Sequence, residues 1–229
     1  MSQMTMSRQR SPGRLLVVGS LLLLLSGCTS SKDEAVRRLQ ARSLYEQALK
    51  SLGDRQISLG LSSLREAVQF DPGNPIFRNT LGVVLLDLRK PAEAATEFRK
   101  AVELDPSYAE AAHNLGLSYA EQGRYEEAIT AYKKALSLPI YSTPEVAHYN
   151  LGRAYSQTGR PREAEEALRT AIHLDPTLGP AYYQLGVVLT TLGRREEAKG
   201  AFLKARDLEP TSPFGQAATE ALKTLGEGG

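Results

Sequence analysis

A single cysteine in 229 residues excludes an internal disulfide framework and leaves that residue, Cys28, needing a separate explanation. Histidine is almost as scarce. His113, His148 and His173 are not paired with one another at helical spacing, and no His-Glu-x-x-His or clustered acid–histidine motif offers a metal its ligands. The chain also lacks a phosphate-cradling glycine loop and any readable nucleophile–base constellation. No metal, cofactor, small-molecule substrate or enzymatic activity is therefore expected. Charge of one sign is missing too: without Arg8, Arg10 and Arg14, which belong to the N-terminal segment, 25 basic residues face 26 acidic ones. A nucleic-acid binder needs a basic face to neutralise phosphates, so nucleic acid is not expected as a partner. The longest apolar run, Leu15–Leu25 (LLVVGSLLLLL), falls short of the roughly 20 residues a membrane-spanning helix requires.

That run has another use. A basic, acid-free start, an apolar stretch of about 7–15 residues and small residues at its end describe a secretory signal over residues 1–27. Leu25-Ser26-Gly27-Cys28 resembles the bacterial lipobox. The resemblance implies cleavage before Cys28 and acylation of its thiol and its new amine, with Cys28 as the lipid-attachment residue and the N-terminal acyl chains as the membrane partner. Each buried methylene contributes about 0.8 kcal/mol, so more than one chain makes attachment durable. Thr29 stands where an aspartate tends to retain such lipoproteins at the inner membrane, which favours the periplasmic face of the outer membrane. Residues 28–32 read as a short polar tether before a helix opening at Asp33-Glu34. Extended, they reach only about 17 Å, which holds the remainder of the chain close to the membrane.

The rest of the chain is built on one template, AEAAHNLGLSYAEQGRYEEAITAYKKALSL, from Ala109 to Leu138. Leu115, Gly116 and Tyr119, then Ala128, Tyr132 and Ala135, are spaced for two antiparallel helices turning at Gly123. Leu81-Gly82, Leu151-Gly152 and Leu185-Gly186 repeat the first helix; Ala94/Phe98/Ala101, Ala164/Leu168/Ala171 and Ala198/Phe202/Ala205 repeat the second. Asp-Pro or Glu-Pro at 105–106, 175–176 and 209–210 closes three units, because a residue before proline avoids helical geometry. Asp71-Pro72 reveals a degenerate earlier unit, in which Gln47-Ala48 replaces Leu-Gly. This pattern resembles the tetratricopeptide repeat, a helix–turn–helix unit of 34 residues that stacks on copies of itself. The resemblance implies an all-α, right-handed superhelical solenoid over 33–210. Its repeats are 41–74 (degenerate), 75–108, 109–144, 145–178 and 179–210. Residues 211–229 form a capping helix, with Ser212 as its cap and Pro213 in its first turn, and a frayed tail.

One junction breaks the period. Leu81 to Leu115 and Leu151 to Leu185 are 34 apart, whereas Leu115 to Leu151 is 36, with Leu-Pro-Ile-Tyr-Ser-Thr-Pro (138–144) replacing the Asp-Pro connection. With the lipobox and the size, this connector resembles the PilF/PilW family of type IV pilus lipoproteins, relatives of the social-motility lipoprotein Tgl. Members usually carry six repeats, and five are counted here. The resemblance implies a pilotin, an assembly chaperone for the pilus secretin subunit at the outer membrane.

Function of this kind requires an interaction surface, and the inner curve formed by the first helix of each pair supplies one. In register, Ile76, Asn79, Val83 and Leu86 fall on that curve, followed by His113 and Leu117, then Val146, Tyr149 and Arg153, then Tyr183 and Val187. Several are apolar where a solvated groove would be polar, which suits an amphipathic helix or an extended apolar segment. A clamp of lysines, asparagines and an arginine for chaperone C-termini is not expected: Asn114 fits one position, but Asn79, Val83, Val146 and Asn150 do not supply the basic members. The alternative is an envelope adaptor that uses the same groove to hold a cell-wall enzyme or protease near the membrane.

Overall fold

The computed structural model describes the backbone of residues 16–227 and the side chains of residues 32–226. Among the described residues there are eleven helices and no strand. Two compact units divide at Pro72/Gly73.

The first unit holds α1 (Leu16–Gly53) and α2 (Ile57–Phe70), packed against each other. Ala41, Ala48, Leu64 and Ala67 are fully buried. Gly60 lets the pair close up, since a Cβ there would lie 2.7 Å from the Leu52 side chain. Helix α1 runs without a break through residues 28–32, so the expected extended tether is helical backbone instead. Five helical residues rise about 7.5 Å, less than half the extended reach. Cys28 lies on this helix, but its side chain, like most of the proposed signal segment 1–27, is outside the described residues. Among the described residues no helix is long and apolar enough to cross a membrane.

The second unit contains four helix pairs and a final helix. The pairs are α3 (Pro75–Asp87) with α4 (Pro91–Leu104), α5 (Ala109–Glu121) with α6 (Tyr125–Leu136), α7 (Pro144–Gln157) with α8 (Pro161–Leu174), and α9 (Gly179–Thr191) with α10 (Arg195–Leu208); the final helix is α11 (Pro213–Glu227). Local chemistry starts and stops these helices. Prolines at the first helical position open α3, α4, α7 and α8, where a missing N–H costs nothing. Asn74 caps α3 by accepting from the N–H groups of Ile76 (3.0 Å) and Phe77 (3.2 Å). Ser212 Oγ accepts from Gly215 N–H at 3.1 Å and caps α11.

Between the helices of a pair the chain reverses through one residue at positive φ. This is Gly123 (73°), Gly159 (71°) or Gly193 (74°) in three turns, and Arg89 (59°) in the fourth. After the second helix, Asp105 and Asp175 are extended and accept from the N–H and hydroxyl of Ser107 and Thr177, which holds both carboxyls below their usual range. These turns hand the chain to the next pair.

Each pair packs on the next, and α11 packs on α10 and α9. The first helices α3, α5, α7 and α9 also touch one another in succession, which the second helices do not to the same degree. The first helices therefore form the inner row of this unit. Its core runs from Ala95 to Ala218 through Tyr119, Ile129, Tyr132, Leu151, Leu168, Leu189 and Phe202. Each fully buried large side chain contributes about 1.5–3 kcal/mol.

Candidate protein-binding groove

The eleven residues expected on the inner curve divide into three groups. Ile76, Val83 and Arg153 are exposed, the first at 51% and the second at 36% of its surface. Leu86, Leu117, Val146, Tyr149, Tyr183 and Val187 are half-buried, and Leu117, Tyr149, Tyr183 and Val187 also pack against the core. Asn79 and His113 are buried and do not line an open surface.

The burial of these two has a clear cause. Asn114 Nδ2 donates to Asn79 Oδ1, and Asn79 Nδ2 donates to the Tyr108 hydroxyl, both at 3.1 Å. These bonds tie α3 to α5 and to the residue preceding it. Across the next junction, His113 Nε2 and Asn150 Nδ2 are 3.1 Å apart. Asn150 can only donate through Nδ2, so the imidazole accepts at Nε2 and its proton sits on Nδ1. The His113 ring also meets Tyr132 at 5.5 Å and Tyr141 at 5.8 Å between centroids. Burial pushes the His113 pKa down to about 4, with the Glu110 carboxylate opposing the shift. Asn79 and His113 are thus joints between repeats, not contacts for a partner.

Tyr141 reaches His113 because the longer connector folds back over α5. Ser142 Oγ donates to Glu110 Oε1 at 3.1 Å, fixing that path. The connector leaves Ile140 85% exposed, a protruding apolar residue that periodicity did not single out because it lies outside the repeat. Tyr183 is likewise shared between the inner row and the interior, with its ring 5.8 Å from Phe202 and 5.9 Å from Phe214.

What remains open is a row across four helices. Val83, Leu117, Arg153 and Val187 occupy the same register position on α3, α5, α7 and α9. Between α5 and α7 the row deepens into a cleft of about 110 Å3, lined by Leu117, Glu121, Tyr132, Asn150, Arg153 and Gln157 among others. The Arg153 guanidinium carbon lies 5.6 Å from the Tyr149 ring centroid. A surface that is open, partly apolar and contoured can bind another polypeptide; nothing in it arranges a nucleophile with a base. Among the described residues no group of histidine, cysteine, aspartate and glutamate could hold a metal ion.

Tetratricopeptide-repeat profiles match residues 79–143, 119–185 and 179–212. No curated protein matches the chain in sequence. Among solved structures, the MamA protein is 26% identical over 75% of this chain and 92% of its own, with a TM-score of 0.69. PilW, a widely conserved type IV pilus biogenesis factor, is 23% identical over 80% of this chain and 86% of its own, with a TM-score of 0.70. PilF of Pseudomonas aeruginosa is 22% identical over 84% and 95%, with a TM-score of 0.63. The two pilus proteins are alike in fold at that identity. Helix pairs stacked in register, the Leu-Gly and alanine positions that close them, and matching profiles that together span 79–212 make this chain a member of the tetratricopeptide-repeat family.

Proposed function

We propose that the chain is an acylated outer-membrane scaffold that acts as a pilotin, binding the type IV pilus secretin subunit in the groove of its second unit and helping it to reach or assemble in that membrane. The observation that carries the binding role is the row of Val83, Leu117, Arg153 and Val187 on the four successive first helices, with Val83 and Arg153 exposed, Leu117 and Val187 half-buried, and Ile76 exposed beside it. Tetratricopeptide solenoids are protein-interaction scaffolds, and the groove lies where such a scaffold presents its inner face. The lipobox at residues 25–28 supports the anchor, and the likeness to PilW and PilF supports the pilus assignment. Deleting the gene should abolish secretin multimers and pilus-dependent motility, and intact multimers would end this reading. Separately, Cys28→Ser should move the protein from the membrane to the soluble fraction without loss of helicity. Retention in the membrane would defeat the acylation argument alone.

A second reading rests on the same row, which suits more than one polypeptide partner. In it the same groove serves an envelope adaptor that holds a periplasmic hydrolase, protease or cell-wall synthase. Crosslinking in cells separates the two: secretin captured by the groove supports the first, and a cell-wall or proteolytic enzyme supports the second.

A further inference from the structure

Two arginines stand on the inner row formed by α3, α5, α7 and α9. Arg78 is paired with Glu97 at 2.7 Å. Arg153 has no carboxylate within ion-pair distance among the described residues; its guanidinium carbon lies 5.6 Å from the Tyr149 ring centroid. A guanidinium has five N–H donors in a planar fork suited to a carboxylate, and lying beside a ring leaves that fork available. Its position is informative as well. In the register row the sequence of side chains is Val83, Leu117, Arg153, Val187, so a segment crossing the row meets two apolar contacts, one cation and a further apolar contact. Because the apolar contacts continue beyond Arg153 on both sides, the segment passes through and does not end there. Glu121, which lines the same cleft, opposes a second acidic group.

We propose that the groove recognises an extended polypeptide segment carrying one aspartate or glutamate side chain, paired with Arg153, between apolar residues that seat on Leu117 and Val187. An extended chain advances about 3.3 Å per residue with alternate side chains on one face, so the apolar residues that share the groove face with the acid stand two positions either side of it, about 6.6 Å away, and their side chains reach across the roughly 8–10 Å between packed helices. This inference rests on the groove being the binding surface, and it names the chemistry of the partner there. It holds for a secretin segment or for another envelope protein alike.

Selection from a displayed library of random 12-residue peptides tests it, using the full chain immobilised in detergent as wild type, Arg153→Gln and Arg153→Lys. The wild type should enrich peptides with one acid flanked by apolar residues about fivefold over matched neutral peptides, as one partly solvated charge-assisted pair allows. Arg153→Gln should lose the acid preference and keep the apolar one, and Arg153→Lys should retain part of it. Apolar enrichment without acid preference in the wild type overturns the inference and leaves the groove standing. An acid preference that survives Arg153→Gln overturns it as well. Enrichment of neither class rejects both the inference and the groove. Circular dichroism of the variants confirms that the exposed Arg153 has been changed without loss of fold.

Discussion

Tyr132 fills the space that a side chain on Gly116 would need: a Cβ built there would sit 2.5 Å from the ring's Cε1. The same relation holds between Gly82 and Phe98, Gly152 and Leu168, and Gly186 and Phe202, each at 2.6 Å. The glycine of each Leu-Gly pair is thus a socket for one large side chain of the second helix. Tyr132 is almost fully buried and has nowhere to swing. Gly116→Ala should cost about 1–2 kcal/mol, because overpacking outweighs the gain of about 0.5–1 kcal/mol from removing a helical glycine. Gly200, inside α10, has nothing within 4 Å of its Cβ position. Gly200→Ala should therefore stabilise by about 0.5–1 kcal/mol. Urea unfolding of the two variants should give shifts of opposite sign, and equal signs would refute the socket.

The turn positions provide a backbone counterpart. Gly123 has open space around its Cβ position but sits at a φ of 73°, so Gly123→Ala tests strain alone and should cost about 1 kcal/mol. Arg89 occupies the equivalent turn at a φ of 59°, with only a loose surface contact to Glu121 at 3.5 Å. Arg89→Gly should raise stability by up to about 1 kcal/mol, since relief of strain exceeds the added entropy of the unfolded chain. Thermal unfolding of both variants checks the pair.

Most of this architecture was legible in the sequence, for a physical reason. Gly116, Ala128 and Tyr132 are small or large because two backbones must meet at one distance, and that requirement recurs every 34 residues, or 36 across the longer connector. The groove was less legible. Register identifies the inner row, but whether a residue on it faces solvent depends on partners that are not periodic. His113 is covered by Tyr141 from the irregular connector, and Asn79 is drawn inward by Tyr108 and Asn114. A recurring asparagine on the first helices, at 79, 114 and 150, was the available sign that polar joints connect the repeats.

The joint at His113 should make stability depend on pH. Its ordinary pKa near 6.5 applies in the unfolded chain, while burial lowers it to about 4 in the fold, so the unfolded state binds the proton first. The contribution is fully present above pH 6.5, declines as pH falls from about 6.5 to about 4, and totals roughly 3 kcal/mol. Around the ring, Tyr132, Tyr141 and Asn150 are uncharged above pH 4, and Glu110 is the nearby carboxylate that moderates the shift. Burial lowers the His148 pKa too, adding to the same window. His113→Gln should flatten the decline between pH 6.5 and 5 by most of one proton. An unchanged slope in urea titrations would show that the imidazole is solvated.

The Arg78–Glu97 pair joins α3 to α4 at 2.7 Å, with only 11% and 16% of the two side chains exposed. Removing one member of a buried pair strands the other charge, which costs 3–5 kcal/mol in full burial, and about 2–3 kcal/mol is expected here because some water reaches both groups. Glu97→Gln keeps the shape and loses the charge. It should lower the urea midpoint, whereas Glu93→Gln, on the exposed start of α4, should leave stability within about 0.5 kcal/mol. Equal effects would mean that burial of the pair is not what makes it matter.

Binding and folding can be separated on the groove itself. Val83 and Ile76 are open to solvent and contribute little to the interior, so Val83→Asp with Ile76→Asp should leave stability nearly unchanged. Tyr149 is different, because it is half-buried against the core, and Tyr149→Ala should destabilise the second unit by about 2 kcal/mol whatever it does to binding. The aspartate pair places two uncompensated charges where an apolar segment must seat, and affinity for the partner should fall by tenfold or more. Under the proposed pilotin role, secretin multimers in cells, measured beside urea unfolding of the purified chain, distinguish the two effects. Lost multimers with unchanged unfolding assign the row to the secretin; normal multimers with both aspartates in place would exclude it as a secretin-binding surface.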